Sequence, residues 1–186
     1  NAVSFDLTGS DMVGVPRDAM VALRAMLFRS DSAAAASSLY EAGYAGGGAL
    51  HDAFVRWCRL KKLPVAENMA ASEFAQHASA FFTELGMGAL DVDTLHDTAV
   101  ALDSANWAEA EPSSGMQFPG CYLTTGMLTE FLARVAGSPV SVLEVECRSM
   151  GAKRCRFVVG SAETIQQVYE ALAQGASYDA VLQGTA

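Results

Sequence analysis

The chain has 186 residues, enough for one domain whose core needs no disulfide staples. Hydrophobic residues make up 51% and charged residues 18%, which excludes a disordered chain and a charged coiled coil. A net charge of −9 without a long Lys/Arg stripe argues against nucleic acid and against anionic membrane surfaces as partners.

No apolar run reaches the roughly 18 residues of a membrane helix. Four cysteines are too sparse for a disulfide scaffold, so a reducing, cytoplasmic setting is expected. A secretory signal is not expected. The start at Asn1-Ala2, without Met, reads as a truncation or a processed tag.

Phe5 and Leu7 alternate with polar residues, which predicts a short strand. Pro16 suits the first turn of a helix carrying Val21, Leu23, Met26, Leu27 and Phe28. Ser30 or Ser32 can cap a second, long helix that reaches about Leu60. Its middle reads Gly43-Tyr44-Ala45-Gly46-Gly47-Gly48, and each interior Gly costs about 1 kcal/mol relative to Ala. Either the helix breaks there, or the glycines let another helix approach closely. Gly43 and Gly47 share a face, and a second copy of the chain is the expected visitor; internal packing against the sheet is the competing account.

Glu67 to Leu85 predicts a third helix with Gly86 as its C-terminal cap. His77 on that helix reads as a core or surface histidine. Met87 to Leu95 and Thr98 to Asp103 read as two strands around a turn. Tyr122 to Val135 is a fourth helix. Val140 to Cys147 and Arg154 to Val159 are strands joined by a turn near Gly151. Ser161 caps a last helix, and Tyr178 to Leu182 forms a short tail. Helices followed by a meander of short strands predict an α+β fold, an antiparallel sheet with helices packed on it. One domain, 1–186, is expected, with a helical dimerisation part at 1–66 and a core at 67–186.

Three of the four cysteines, Cys121, Cys147 and Cys155, fall in one stretch, with Glu144 and Glu146 beside the middle one. Thiolates and a carboxylate are ligand types that zinc accepts in four-coordinate sites. The spacing has no Cys-x-x-Cys, so buried free thiols and a disulfide stay open as alternatives. Residues three apart on a regular strand face opposite ways, so Glu144 joins Cys147 only if the strand bulges or Glu144 reaches round an edge; otherwise Glu146 serves. Cys58, between Trp57 and Leu60, reads as an inert thiol outside any metal site.

No dinucleotide fingerprint, phosphate loop, nucleophile elbow or His-Glu-x-x-His occurs, and there are only three histidines. No catalytic residue is assigned.

The set Cys121, Glu144-Val145-Glu146-Cys147 and Gly151-Ala152-Lys153-Arg154-Cys155-Arg156-Phe157 resembles the signature of the 4-vinyl-reductase domain family. The resemblance covers about residues 105 to 160, and Tyr40-Glu41-Ala42-Gly43-Tyr44-Ala45-Gly46 is similar to the helix that precedes this domain in longer relatives. It implies the α+β ligand-binding fold shared with vesicle-transport tethering subunits. It also implies a structural zinc on Cys121, Glu144, Cys147 and Cys155, and pairing of two chains through the N-terminal helices.

The aromatic-sensing domains of enhancer-binding activators belong to this family, as do proteins that accompany bacteriochlorophyll synthesis. The expected function is therefore a regulatory module that binds a small hydrophobic or aromatic ligand. An accessory or carrier in tetrapyrrole synthesis is the alternative. Trp107, Met116, Phe118, Tyr122 and Thr125 are the expected ligand-binding residues. Ala108 separates Trp107 from Glu109, and Thr125 supplies no aromatic wall, so the resemblance does not point to phenol itself.

Overall fold

The computed structural model describes residues 12–182; the strand expected at Phe5 and Leu7 lies outside them. Helix α1 spans Arg17–Ser30 and α2 spans Ser32–Lys61. The α2 cap is Asp31, not a serine: its carboxylate accepts from the N–H groups of Ala33 and Ala34 at 2.9 and 3.1 Å. The helix then runs unbroken through the glycines.

Those glycines are explained by α4, Tyr122–Ala136, which lies along α2 in the same chain. A Cβ on Gly43 would collide with the Leu123 carbonyl, and one on Gly47 would stand 2.6 Å from the Glu130 Cβ. Gly126 of α4 answers them, because its own Cβ would run into the Tyr40 carbonyl. The backbones touch where no side chain fits between them. The face expected to receive a second copy is thus occupied by α4 of the same chain, and its visitor is a helix rather than the sheet of the competing account. Gly46, by contrast, meets no atom within 4 Å.

Helix α3, Ala71–Glu84, starts four residues later than expected, after a 3-10 turn at Ala66–Asn68. Its Phe81 and Phe82 join Phe54 of α2 and Phe131 of α4 in an aromatic core, with ring centroids 5.2 to 5.7 Å apart. Each such buried ring contributes about 2–3 kcal/mol.

Strands β1 (Asp91–His96), β2 (Ala99–Ser104), β3 (Ser141–Glu146) and β4 (Cys155–Gly160) form one antiparallel sheet in the order β1-β2-β4-β3. Alternation along the strands gives the sheet two apolar faces. Leu102, Val142, Phe157 and Val159 pack into the aromatic core. Ala99 and Val158 pack against Ile165 and Val168 of α5, Ala162–Ala173, and Leu182 of α6, Tyr178–Leu182. The sheet is therefore covered on both sides, and β4 is buried along nearly its whole length. Its one charged member, Arg156, forks onto Asp103 at 2.7 Å and reaches Asp93 at 3.0 Å. Among the described residues no helix is long and apolar enough to cross a membrane.

Candidate functional site

Cys121 ends the loop before α4, Glu144 lies on β3, Cys147 follows β3 at the start of a 3-10 turn, and Cys155 opens β4. All four are buried, and one ligand atom from each lies within 4.8 Å of the others. The strand conflict is resolved by a bulge. Glu144 pairs with Phe157 but Glu146 pairs with Arg156, so Val145 is the extra residue between them. Beyond the bulge Cys147 returns to the side of Glu144.

The sulfurs of Cys121 and Cys147 stand 3.8 Å apart, and those of Cys121 and Cys155 4.0 Å. A disulfide needs about 2.05 Å, and all four cysteines are free. Thiolates bound at about 2.3 Å to a tetrahedral ion stand about 3.8 Å apart, which is the spacing seen. Glu144 Oε2 accepts from the Cys121 N–H at 2.7 Å, while its Oε1 is buried without a hydrogen-bond partner. That orphaned oxygen beside three sulfurs is what a metal ligand looks like when only protein groups are counted. Glu146 is spoken for elsewhere: it takes the Arg154 fork at 3.0 and 3.1 Å and the Tyr178 hydroxyl at 2.7 Å. Glu144 is therefore the carboxylate of the cluster.

Burial and the neighbouring Cys147 push the Glu144 carboxyl well above its ordinary range. Contacts with the other two sulfurs pull Cys147 down, whereas sulfur contacts and burial hold Cys121 up. Protein groups alone thus disfavour ionising Glu144 and Cys121. A divalent cation reverses that balance and lets every ligand ionise. The residues present fit a metal ion.

The N-terminus of α4, which carries Cys121, is held from below. The buried Glu109 carboxylate accepts from the N–H groups of Leu123 and Thr124 at 3.3 and 2.8 Å. Arg24 of α1 lies 3.4 Å from Glu109 and donates to the Gly120 carbonyl at 2.6 Å, next to Cys121. Arg24 is the one buried residue of α1, while Leu23 and Met26 face outward.

Beside the cluster, along the free edge of β3, runs a cleft of about 660 Å³ between α2, α4 and α5. Glu144 forms part of its wall, so cleft and cluster share one residue. Of the residues expected to bind ligand, Phe118, Tyr122 and Thr125 line the cleft. Trp107 and Met116 do not. Trp107 is core, its indole N–H donating to Thr124 at 2.7 Å and its ring packed on Phe82 and Phe157. Met116 sits near the Arg24 guanidinium, 3.9 Å from it. Tyr40 and Glu41 of α2 and Tyr169 and Leu172 of α5 complete the walls, and sequence reasoning does not find them in this role. Tyr40 lies in the segment similar to the relatives' preceding helix, which is the signal available for it. His77 lies 3.8 Å from Glu73, away from the cleft. Cys58 is buried apart from the cluster, and burial pushes its thiol up to about 11.

Comparison with known proteins places this geometry. The model of the 4-vinyl-reductase domain family matches residues 103–161, the span from the end of β2 to the residue before α5. No curated protein matches the chain. The phenol-responsive sensory domain of the transcription activator PoxR, solved with phenol, is similar over 87% of this chain and 82% of its own, at 19% identity and TM-score 0.62. A vinyl-4-reductase family protein from Methanocaldococcus jannaschii is similar over 80% and 83%, at 20% identity and TM-score 0.53. Trafficking protein particle complex subunit 3 from Naegleria fowleri, covalently bound to palmitic acid, is similar over 77% and 91%, at 18% identity and TM-score 0.60. The chain is α+β with the fold of these proteins.

Proposed function

With a 4-vinyl-reductase domain at residues 103–161 as the premise, we propose that the chain is a regulatory, ligand-sensing domain that takes a small hydrophobic or aromatic molecule into the cleft beside β3. Cys121, Glu144, Cys147 and Cys155 hold a zinc ion that braces the cleft wall. The observation that carries this reading is the sharing of Glu144 by the cleft and the metal-capable cluster. Four protein ligands leave zinc no open position, so its role is structural. Phe118 and Tyr122 supply aromatic walls, and Thr125 adds a polar one. The likeness to the PoxR sensory domain, which was solved with phenol, supports small-molecule binding.

The assembly proposed is a homodimer through the N-terminal helices. Since α4 takes the glycine face, the outward Leu23 and Met26 of α1 are the surface left for it. Free thiols suit a reducing compartment, and the cytoplasm is the proposed setting.

The test is a calorimetric screen of neutral aromatic compounds against zinc-loaded protein. Saturable binding at one site per chain supports the reading, and the absence of any binder overturns it. The alternative, a tetrapyrrole carrier, draws on the size of the cleft alone. It would show as tight porphyrin binding with no affinity for smaller aromatics.

A further inference from the structure

Resting on the reading of the cleft as a ligand site, we propose that it selects aromatic ligands that carry a positive charge, of the arylalkylamine class, and rejects aromatic anions.

The walls present four aromatic rings, Tyr40, Phe118, Tyr122 and Tyr169. Ring faces carry negative potential and attract ammonium groups. One accessible carboxylate also lines the cleft, Glu41 at the exposed rim of α2, while Glu144 of β3 lies in the wall with its carboxylate buried against the Cys121 N–H. No Lys, Arg or His lines it among the described residues. An anionic ligand would lose its water and meet no cation in return, whereas an ammonium group meets the Glu41 carboxylate and aromatic rings.

A bound metal ion does not reverse the sign. Three thiolates and one carboxylate bring four negative charges, and a divalent ion brings two positive ones. The loaded centre stays net negative beside the cleft. The volume, about 660 Å³, lies in the range of drug-sized ligands and leaves room for more than one ring.

The experiment uses three probes with one ring system: 2-naphthylmethylamine, 2-naphthylmethanol and 2-naphthoate. Each is titrated calorimetrically into the zinc-loaded chain at low ionic strength. The amine is expected to bind tightest and the acid weakest, about tenfold or more apart. Glu41→Gln, on an exposed helix face and outside the metal-capable set, should narrow that gap about two- to fivefold. Added salt should narrow it further. Leu172→Trp, which fills the cleft from α5, should abolish binding of all three. If the acid binds as well as the amine, charge selection is overturned while the cleft remains a ligand site. If the amine binds best but ignores both substitutions, it binds elsewhere, and the proposal falls. If none of the three binds, the cleft reading falls with it.

Discussion

The backbone N–H of Cys121 donates to Glu144 Oε2 at 2.7 Å, so two of the four metal-capable residues are tied together through the main chain of the α4 entrance. The other oxygen of that carboxylate is left buried beside the sulfurs without a partner. The pair joins an edge strand to the start of a helix at a corner whose Glu144 also lies in the cleft wall.

The corner predicts a metal stoichiometry. Purified protein should contain about one zinc per chain, and Cys147→Ala or Cys155→Ala should lose it and unfold at a lower temperature, because structural metal binding is coupled to folding. Elemental analysis together with thermal melts checks this. Stoichiometric absence of metal, with all three thiols titratable and the melt unchanged by a chelator, contradicts it.

Much of this is legible in sequence. Apolar spacing at 3.6 and 2.0 residues marks the helices and strands that position the site, and the cysteine stretch marks the cluster. Three features are not legible, each for a physical reason. Nothing in Val142-Leu143-Glu144-Val145-Glu146-Cys147 announces a bulge, because the extra residue is defined only by the register of β4. The glycine run declares that something comes close but not which helix, and the visitor, α4, lies about 80 residues downstream. The tryptophan nearest the cysteines, Trp107, invites a ligand role, yet Thr124 satisfies its N–H and the core takes its ring. Two of the rings that do line the cleft, Tyr40 and Tyr169, come from α2 and α5, far apart in the chain.

The helix pair predicts opposite outcomes for neighbouring glycines. Gly43→Ala forces a Cβ into the Leu123 carbonyl and should destabilise the chain by about 1–3 kcal/mol, as overpacking does. Gly46→Ala faces open space and should stabilise it by about 0.5–1 kcal/mol through helix propensity. Denaturant midpoints compare the two directly, and equal effects would show that α2 and α4 do not meet as described. Gly47→Leu belongs with Gly43→Ala and should unfold the chain rather than release a folded monomer.

Removing Arg24 should cost about 3–5 kcal/mol, because Arg24→Met leaves Glu109 buried without its cation. The loss should be localised: hydrogen exchange should accelerate through α1 and the entrance of α4 before the sheet. Uniform acceleration, or none, would remove Arg24 from the role of clamp between those elements.

Light scattering tests the assembly. The wild-type chain should run as a dimer at micromolar concentration, and Leu23→Glu with Met26→Glu should give a folded, zinc-loaded monomer. A monomeric wild type refutes the dimer.

The central claim, a ligand cleft braced by a metal centre at a shared wall, is tested most directly by calorimetry on one pair of proteins. Zinc-loaded wild type and the cleft-filling Leu172→Trp are titrated with 2-naphthylmethanol, and metal content is measured in both. The account predicts a saturable one-to-one isotherm in the wild type, none in the variant, and one zinc per chain in each. Binding that survives unchanged in Leu172→Trp, or a wild type that binds neither zinc nor ligand, would contradict it.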